Sequence, residues 1–304
     1  MLSNDIARYV ELHRELGFKF RLQACLLRHF ARFAALHGDD FVRTSTALAW
    51  AKEAPSPEQR RDRLGVVRRF SCRMQAEDPR YEAPPARAFG RPTRRRRMPH
   101  IYTPSELRLL LEAASRLGPD GSLRAETHAT LFALLACTGL RISEALALQL
   151  DDITTDGLVV RNTKFRKNRL VPLHPSARAG IERYVVARLR RGTTDTSLFV
   201  SLWDKGLSYA RVNAVFLDLM RSIGLRREPG TPGPCLHDLR NTFAVRALES
   251  ASDDGDAITR HMLALSTYLG HAHPSDTYWY LQATPKLMEG ISVATEHFFE
   301  GATR

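Results

Sequence analysis

Over residues 1–82, apolar side chains recur at three- and four-residue spacing, the period of amphipathic helices. Residues 3–16 bring Ile6, Tyr9, Val10 and Leu16 near one stripe, and residues 22–37 do so with Leu22, Leu26, Leu27, Phe30, Phe33 and Leu36. Ser45 can cap a short helix through Trp50, and Pro57 opens a longer one reaching Met74. There Leu64, Val67 and Phe70 alternate with Arg60, Arg61, Arg63, Arg68, Arg69 and Arg73. One face enters a core and the other carries positive charge. The pattern predicts a compact four-helix domain over 1–82.

Residues 83–98 break that period. Two prolines, Gly90, Pro92 and the run Arg94, Arg95, Arg96, Arg97 read as an extended basic linker. Helical spacing then returns over 99–304. Thr103 or Ser105 can cap a helix to Leu117, and a buried helix near 126–137 ends at Thr138, with Gly139 suited to the position after it. A further helix after Ser143 runs through Leu146 and Leu148. Residues 157–173 alternate as a β-hairpin with a Lys/Arg-rich tip, and helices follow near 175–191, 207–223, 236–250, 256–266 and 284–298. The expected class is mainly α, with a helical N-terminal domain and a mixed α/β second domain, mostly helical with a small antiparallel sheet.

Composition narrows the setting. The 304 residues are long enough for two hydrophobic cores. Cys25, Cys72, Cys137 and Cys235 are scattered without a C-x-x-C pair, which argues against a disulfide framework and fits a reducing cytoplasm. No apolar run is long enough for a membrane span, so the expectation is a cytoplasmic protein without a membrane partner. The net charge is +12, and it is uneven: residues 1–98 hold 21 basic and 11 acidic side chains, net +10. So basic a segment suits a surface that neutralises nucleic-acid phosphates.

Given that charge, the chemistry to look for is phosphodiester cleavage. Without a metal it needs cations for the phosphoryl oxygens, an in-line nucleophile and an acid for the leaving oxygen. Five places supply such groups. Arg141, in Thr138-Gly-Leu-Arg-Ile-Ser-Glu-Ala, lies in a tight turn between helices. Lys164 and Lys167, with Arg166, occupy the hairpin tip before Arg169-Leu-Val-Pro-Leu. His237 and Arg240, spaced i, i+3, share one helical face. His271 follows Leu269-Gly270, and Tyr280 comes nine residues later within Asp276-Thr-Tyr-Trp-Tyr-Leu, where Tyr278 is a competing tyrosine. Each motif alone is weak. His271-Ala-His273 has no third ligand or carboxylate at suitable spacing, so no metal site is read there.

In this order, Arg, Lys, His-x-x-Arg, His and Tyr resemble the tyrosine recombinase (phage integrase) family. The strings TGLRISEAL, TKFRKNRLVPL, HDLRNTFA and YLGH with its following tyrosine match its motifs over about 99–304. The resemblance implies a core-binding, DNA-binding domain at 1–82, the linker at 83–98 and a catalytic domain at 99–304, holding duplex DNA between the two domains. It assigns Arg141 and Arg240 to the scissile phosphate and Lys164 to the general acid, with Lys167 as the alternative. It assigns His237 to proton transfer at the tyrosine, His271 to a phosphoryl oxygen and Tyr280 to the nucleophile. Arg61, Arg68, Arg69, Arg94, Arg95, Arg96, Arg97, Arg166 and Lys167 would contact DNA.

The implied activity is site-specific strand cleavage and rejoining through a 3′-phosphotyrosine, with no metal, ATP or other cofactor, for integration, excision or transposition of a mobile element. The partners implied are double-stranded DNA, further copies in a tetramer on two DNA sites, and related recombinases. The tail helix 284–298 would dock on a neighbouring copy. Asn241 stands where family members often have histidine, and the TYWYL setting is nearer to transposon-borne members. Two other readings compete: an accessory DNA-binding subunit active only with partner recombinases, and a metal-dependent nuclease using Asp151, Asp152, Asp253, Asp254 or Asp256.

Overall fold

Side-chain caps and apolar stripes set the helices of the first unit. The computed structural model describes residues 1–90, 98–161, 168–250, 255–271, 273, 275–278 and 280. The chain divides into two compact units, Met1–Arg96 and Arg97–Arg304. In the first, α1 (Leu2–Glu15), α2 (Arg21–Leu36), α3 (Thr44–Lys52) and α4 (Pro57–Gln75) enclose a core around Trp50, Phe30, Phe70, Leu27 and Ile6. Ser56 caps α4 by accepting from the Gln59 N–H, and Pro57 occupies the first turn, where no N–H is needed. The cap of α3 differs from expectation. The Glu82 carboxylate accepts from the Thr44 N–H at 2.7 Å, so Ser45 lies inside the helix. An acidic side chain from a distant segment satisfies the helix end instead of a local hydroxyl.

Part of the expected linker also packs. Pro84 is buried and Phe89 lies against the first core, so the described chain stays with that unit through residue 90. Residues 91–97, with Arg94 to Arg97, fall outside the described residues. The basic face of α4 is less uniform than its sequence suggests. Arg60 donates to the Ala54 carbonyl, and Arg63 donates to the Trp50 carbonyl with its guanidinium over the Trp50 ring.

In the second unit, Thr103 and Glu106 form a reciprocal capping box that opens α5 (Pro104–Ser115). Helix α6 (Arg124–Thr138), buried on several sides, packs against α5 and against α8 (Pro175–Leu189) and α10 (Leu236–Glu249). Helix α7 (Ile142–Ala145) is one turn long and stops before Leu148, whose carbonyl accepts from the Leu198 N–H instead of a helical donor. Strands β1 (Ile153–Thr154), β2 (Gly157–Val160) and β3 (Arg169–Val171) form an antiparallel sheet in chain order, pairing Leu158 with Val171 and Val160 with Arg169. Leu158, Val160 and Val171 are buried, which places Arg169 on the inward face of β3. Helix α9 (Tyr209–Ser222) covers the core, and α11 (Gly255–Leu269) packs on α10. The chain is mainly α with a small antiparallel sheet, as expected. The tail 284–298 lies outside the described residues.

Two glycines shape the turns that matter here. Gly139, at φ +61°, ends α6, and a Cβ there would collide with the Phe243 ring, which is stacked on Tyr268. Gly139→Ala therefore combines backbone strain with overlap. Its unfolding free energy should fall by more than ~1 kcal/mol, read by urea denaturation; an unchanged midpoint would show that the turn relaxes. Gly270, at φ +65°, ends α11. Its N–H reaches the Thr267 carbonyl and the His271 N–H the Ser266 carbonyl, a Schellman closure.

Candidate active site

That closure brings the chain back at His271 and leaves the last carbonyls of α11 facing the start of α10 and the α6–α7 turn. A helix C-terminus carries partial negative charge and unsatisfied carbonyls. Two guanidinium groups meet it. Arg240, only 2% exposed, donates to the Leu269 carbonyl at 2.8 Å and to the Gly139 carbonyl at 2.7 Å. Arg141 reaches the Leu269 and Gly270 carbonyls at 3.4 and 3.3 Å. Burial, reinforced by the nearby Arg141 charge, lowers the Arg240 pKa to about 10, while Tyr280 acts in the opposite sense. Arg240 is still protonated at neutral pH.

Around this pair stand the imidazoles and the tyrosine. His271 Nε2 lies 3.0 Å from Arg240 Nη2, and its ring stacks on Tyr280 with centroids 6.0 Å apart and planes 21° apart. Tyr280 is 4% exposed and packs with Ala244, Val245, Leu248, Leu265 and Leu269 of α10 and α11. His237 sits on the first turn of α10 with its outer edge open to solvent. Desolvation on its inner side, then the charges of Arg240 and Arg141, lower its pKa, while the Asp238 carboxylate acts in the opposite sense. The two guanidinium charges act in the same sense as burial, so the direction survives the exposed edge. Asn241 is buried and donates to Asp238 at 3.1 Å, a local use of the amide.

A family model for the phage integrase family matches residues 101–286. The chain belongs to this family, the tyrosine recombinases. It is 37% identical over 310 residues to y4rB of Sinorhizobium fredii, described as an integrase/recombinase, covering 98% of each. It is 32% identical to the tyrosine recombinase XerD of Caulobacter vibrioides, covering 80% of this chain and 76% of that one. Its fold matches that of a lambda integrase(75-356) dimer bound to a COC′ core site, with TM-score 0.63 and 17% identity, covering 92% of this chain and 94% of that one. At that identity the likeness is one of fold.

In this tyrosine recombinase, Arg141, His237, Arg240, His271 and Tyr280 thus gather at one place. Lys164, Arg166 and Lys167 of the hairpin tip lie outside the described residues. Three further side chains belong to the assembly although their sequence motifs did not single them out. Glu144 accepts from the Arg141 N–H and from Arg141 Nη1, both at 2.9 Å, and from Arg169 Nη1 and Nη2 at 3.0 and 2.9 Å. Burial alone would raise the Glu144 pKa, but the Arg169 fork, the Arg141 N–H and both positive charges bring it down to about 2. Thr277, the third, meets His271 Nδ1 at 2.7 Å. The i, i+3 spacing of Arg141 and Glu144 was a legible hint; the Arg169 and Thr277 contacts had none.

The described arginines singled out in α4 have different surroundings. Arg61 pairs with Glu58 at 2.9 Å, Arg68 donates to Cys72 Sγ at 3.0 Å, and Arg69 is exposed. Of the acidic side chains, Asp151 is exposed, whereas Asp152 accepts from the Gln149 N–H and pairs with Arg161 at 2.5 Å. Asp253 and Asp254 lie outside the described residues, as does the Asp256 side chain. Among the described residues no group of three or more His, Cys, Asp or Glu side chains could hold a metal ion, and no helix is long and apolar enough to cross a membrane.

Proposed function

We propose that this recombinase cleaves and rejoins double-stranded DNA at specific sites through a covalent 3′-phosphotyrosine, for integration, excision or transposition of a mobile element. One observation carries the reading: two guanidinium groups and an imidazole converge beside the Tyr280 ring at the end of α11. Planar guanidinium forks suit phosphoryl oxygens, and placed in advance they stabilise charge as it builds in the transition state. Tyr280 Oη attacks phosphorus, and the bond to the 5′-oxygen breaks. Lys164, with Lys167 as the alternative, supplies the proton that the 5′-oxygen takes. His237, its pKa lowered by burial and the two guanidinium charges, exchanges a proton with Tyr280, and His271 hydrogen-bonds a phosphoryl oxygen. The 5′-hydroxyl of another strand then attacks phosphorus and releases the tyrosine. One phosphoester bond is broken and one made in each step, so no ATP enters.

The first unit supplies DNA contacts through Arg61, Arg68 and Arg69, the segment 91–97 adds Arg94 to Arg97, and the hairpin tip adds Arg166 and Lys167. Copies assemble as a tetramer on two DNA sites. A duplex nicked near the cleavage position traps the covalent product, because the short cleaved piece diffuses away. The wild-type protein should give an adduct that survives SDS, is joined to the 3′ side of the break, leaves a free 5′-hydroxyl and forms equally with EDTA present. Intact DNA binding without any adduct would overturn the reading in favour of an accessory subunit, and loss of cleavage in EDTA would favour metal-dependent chemistry.

A further inference from the structure

His271 is engaged at both ring nitrogens. Nε2 lies 3.0 Å from Arg240 Nη2 and Nδ1 lies 2.7 Å from Thr277 Oγ1. A guanidinium has N–H donors and no acceptor. Nε2 is therefore the accepting, unprotonated nitrogen, and the single proton of the neutral ring sits on Nδ1, donated to the Thr277 hydroxyl. A histidine side chain free in water prefers the opposite tautomer, so its surroundings impose this one. Thr277 is 1% exposed and lies on the short helix α12 (Ser275–Tyr278), three residues before Tyr280. The imidazole is thus fixed between the Arg240 guanidinium and the Tyr280 ring by a hydroxyl that cannot wander.

The geometry points to Thr277 as a positioning residue that fixes the ring plane of His271 and accepts its Nδ1 proton, while the Arg240 guanidinium dictates which ring nitrogen is bare. Its catalytic consequence rests on the proposed reading of His271 as a phosphate partner. With Arg240 donating to Nε2, the ring cannot donate to a phosphoryl oxygen. A bound phosphodiester draws the Arg240 N–H groups to its own oxygens, and Nε2 must then carry a proton to contribute. A hydroxyl permits that change because it accepts and donates equally well. Its O–H turns towards Nδ1, the Nδ1 proton leaves to water, and Nε2 takes a proton from water. The ring keeps one proton and stays neutral throughout. A backbone carbonyl in the same place would lock the proton on Nδ1, and a methyl group would hold neither form.

The test uses the full-length protein labelled with 15N-histidine, with His271→Gln to assign the signal. Long-range proton–nitrogen spectra distinguish protonated from bare ring nitrogens. In free wild-type protein and in Thr277→Ser, His271 should show a protonated Nδ1 and a bare Nε2. Thr277→Val leaves the Nδ1 proton without an acceptor, so the His271 nitrogen signals should shift and broaden as the ring loses its fixed plane, with Thr277→Ala as the second variant should valine pack badly. In single-turnover cleavage of the nicked duplex, Thr277→Val should be slower by roughly tenfold, the equivalent of one neutral hydrogen bond, with DNA binding unchanged and the rate restored in Thr277→Ser. A protonated Nε2 in the free wild type, or wild-type nitrogen shifts in both Thr277→Val and Thr277→Ala, overturns the inference. The nitrogen spectra need no DNA. A protein whose His271 nitrogen signals respond to the Thr277 variants as expected but that never forms an adduct keeps the Thr277 assignment and loses the recombinase mechanism.

Discussion

Tyr280→Phe is expected to abolish the SDS-resistant adduct, lowering strand cleavage by a factor on the order of a thousand or more, while the protein still binds its duplex. Phenylalanine retains the ring that packs with Leu248, Leu265 and Leu269 and stacks on His271. The only group removed is the hydroxyl. Its hydrogen bond to Arg240 goes with it, a change of about 1.5–3 kcal/mol for a bond to a charged group, so the variant should still fold, with a modestly lower melting point than the wild type. Tyr278, by contrast, is 55% exposed and outside that packed cluster. Tyr278→Phe should form adduct at the wild-type rate. An adduct that persists in Tyr280→Phe and vanishes in Tyr278→Phe would move the nucleophile to position 278.

Glu144→Ala is expected to cost about 3–5 kcal/mol of unfolding free energy, the range found when one partner of a buried ion pair is removed. The carboxylate is 8% exposed and is the common acceptor for Arg141 and Arg169. Without it two guanidinium groups are left close together with unmatched donors, and Arg141 loses what holds it in the turn. Cleavage should fall with stability, whereas Glu144→Gln, which keeps an acceptor oxygen, should be milder in both. The pH dependence follows from the same group. Its folded pKa, about 2, is below the ordinary 4.5, so the unfolded chain takes up the proton more readily as the solution is acidified. The stabilisation is complete above about pH 4.5 and is lost as pH falls through about 2. Denaturant melts at descending pH should show that loss in the wild type and not in Glu144→Gln. Parallel pH profiles for the two proteins would contradict this account.

What could be read before folding, and what could not, divides by how far apart the interacting groups lie. The helices and the hairpin were legible because their signals are local: apolar period, proline in the first turn, glycine after the last. His237 and Arg240 share a face by spacing alone, and Gly139 reads as a helix stop, whereas the helix expected to end near 266 runs on to Leu269. Contacts across sequence distance were not legible. Nothing near Ser45 announces that Glu82 caps α3, and nothing in Arg169-Leu-Val-Pro-Leu announces a carboxylate 25 residues earlier as its partner. The α4 arginines show the same limit. A helical wheel separates charged from apolar positions, but cannot say that Arg63 folds over Trp50 while Arg69 stays in solvent. Thr277 looked like an ordinary residue of an apolar stretch until His271 was found against it.

The end of α11 has one more consequence. In the free protein, the Leu269 and Gly270 carbonyls occupy donors of Arg141 and Arg240; under the proposed assignment of both arginines to the scissile phosphate, these oxygens stand in for the substrate's own. Two like charges would otherwise repel each other in a partly dehydrated space, and these carbonyls, together with Glu144 on Arg141, hold them in place. On that proposal a phosphodiester would enter by exchange, oxygen for oxygen, rather than by filling a void. Such an exchange would favour a group that offers several anionic oxygens in a fixed geometry over a lone chloride or carboxylate, because two backbone carbonyls must be displaced at once.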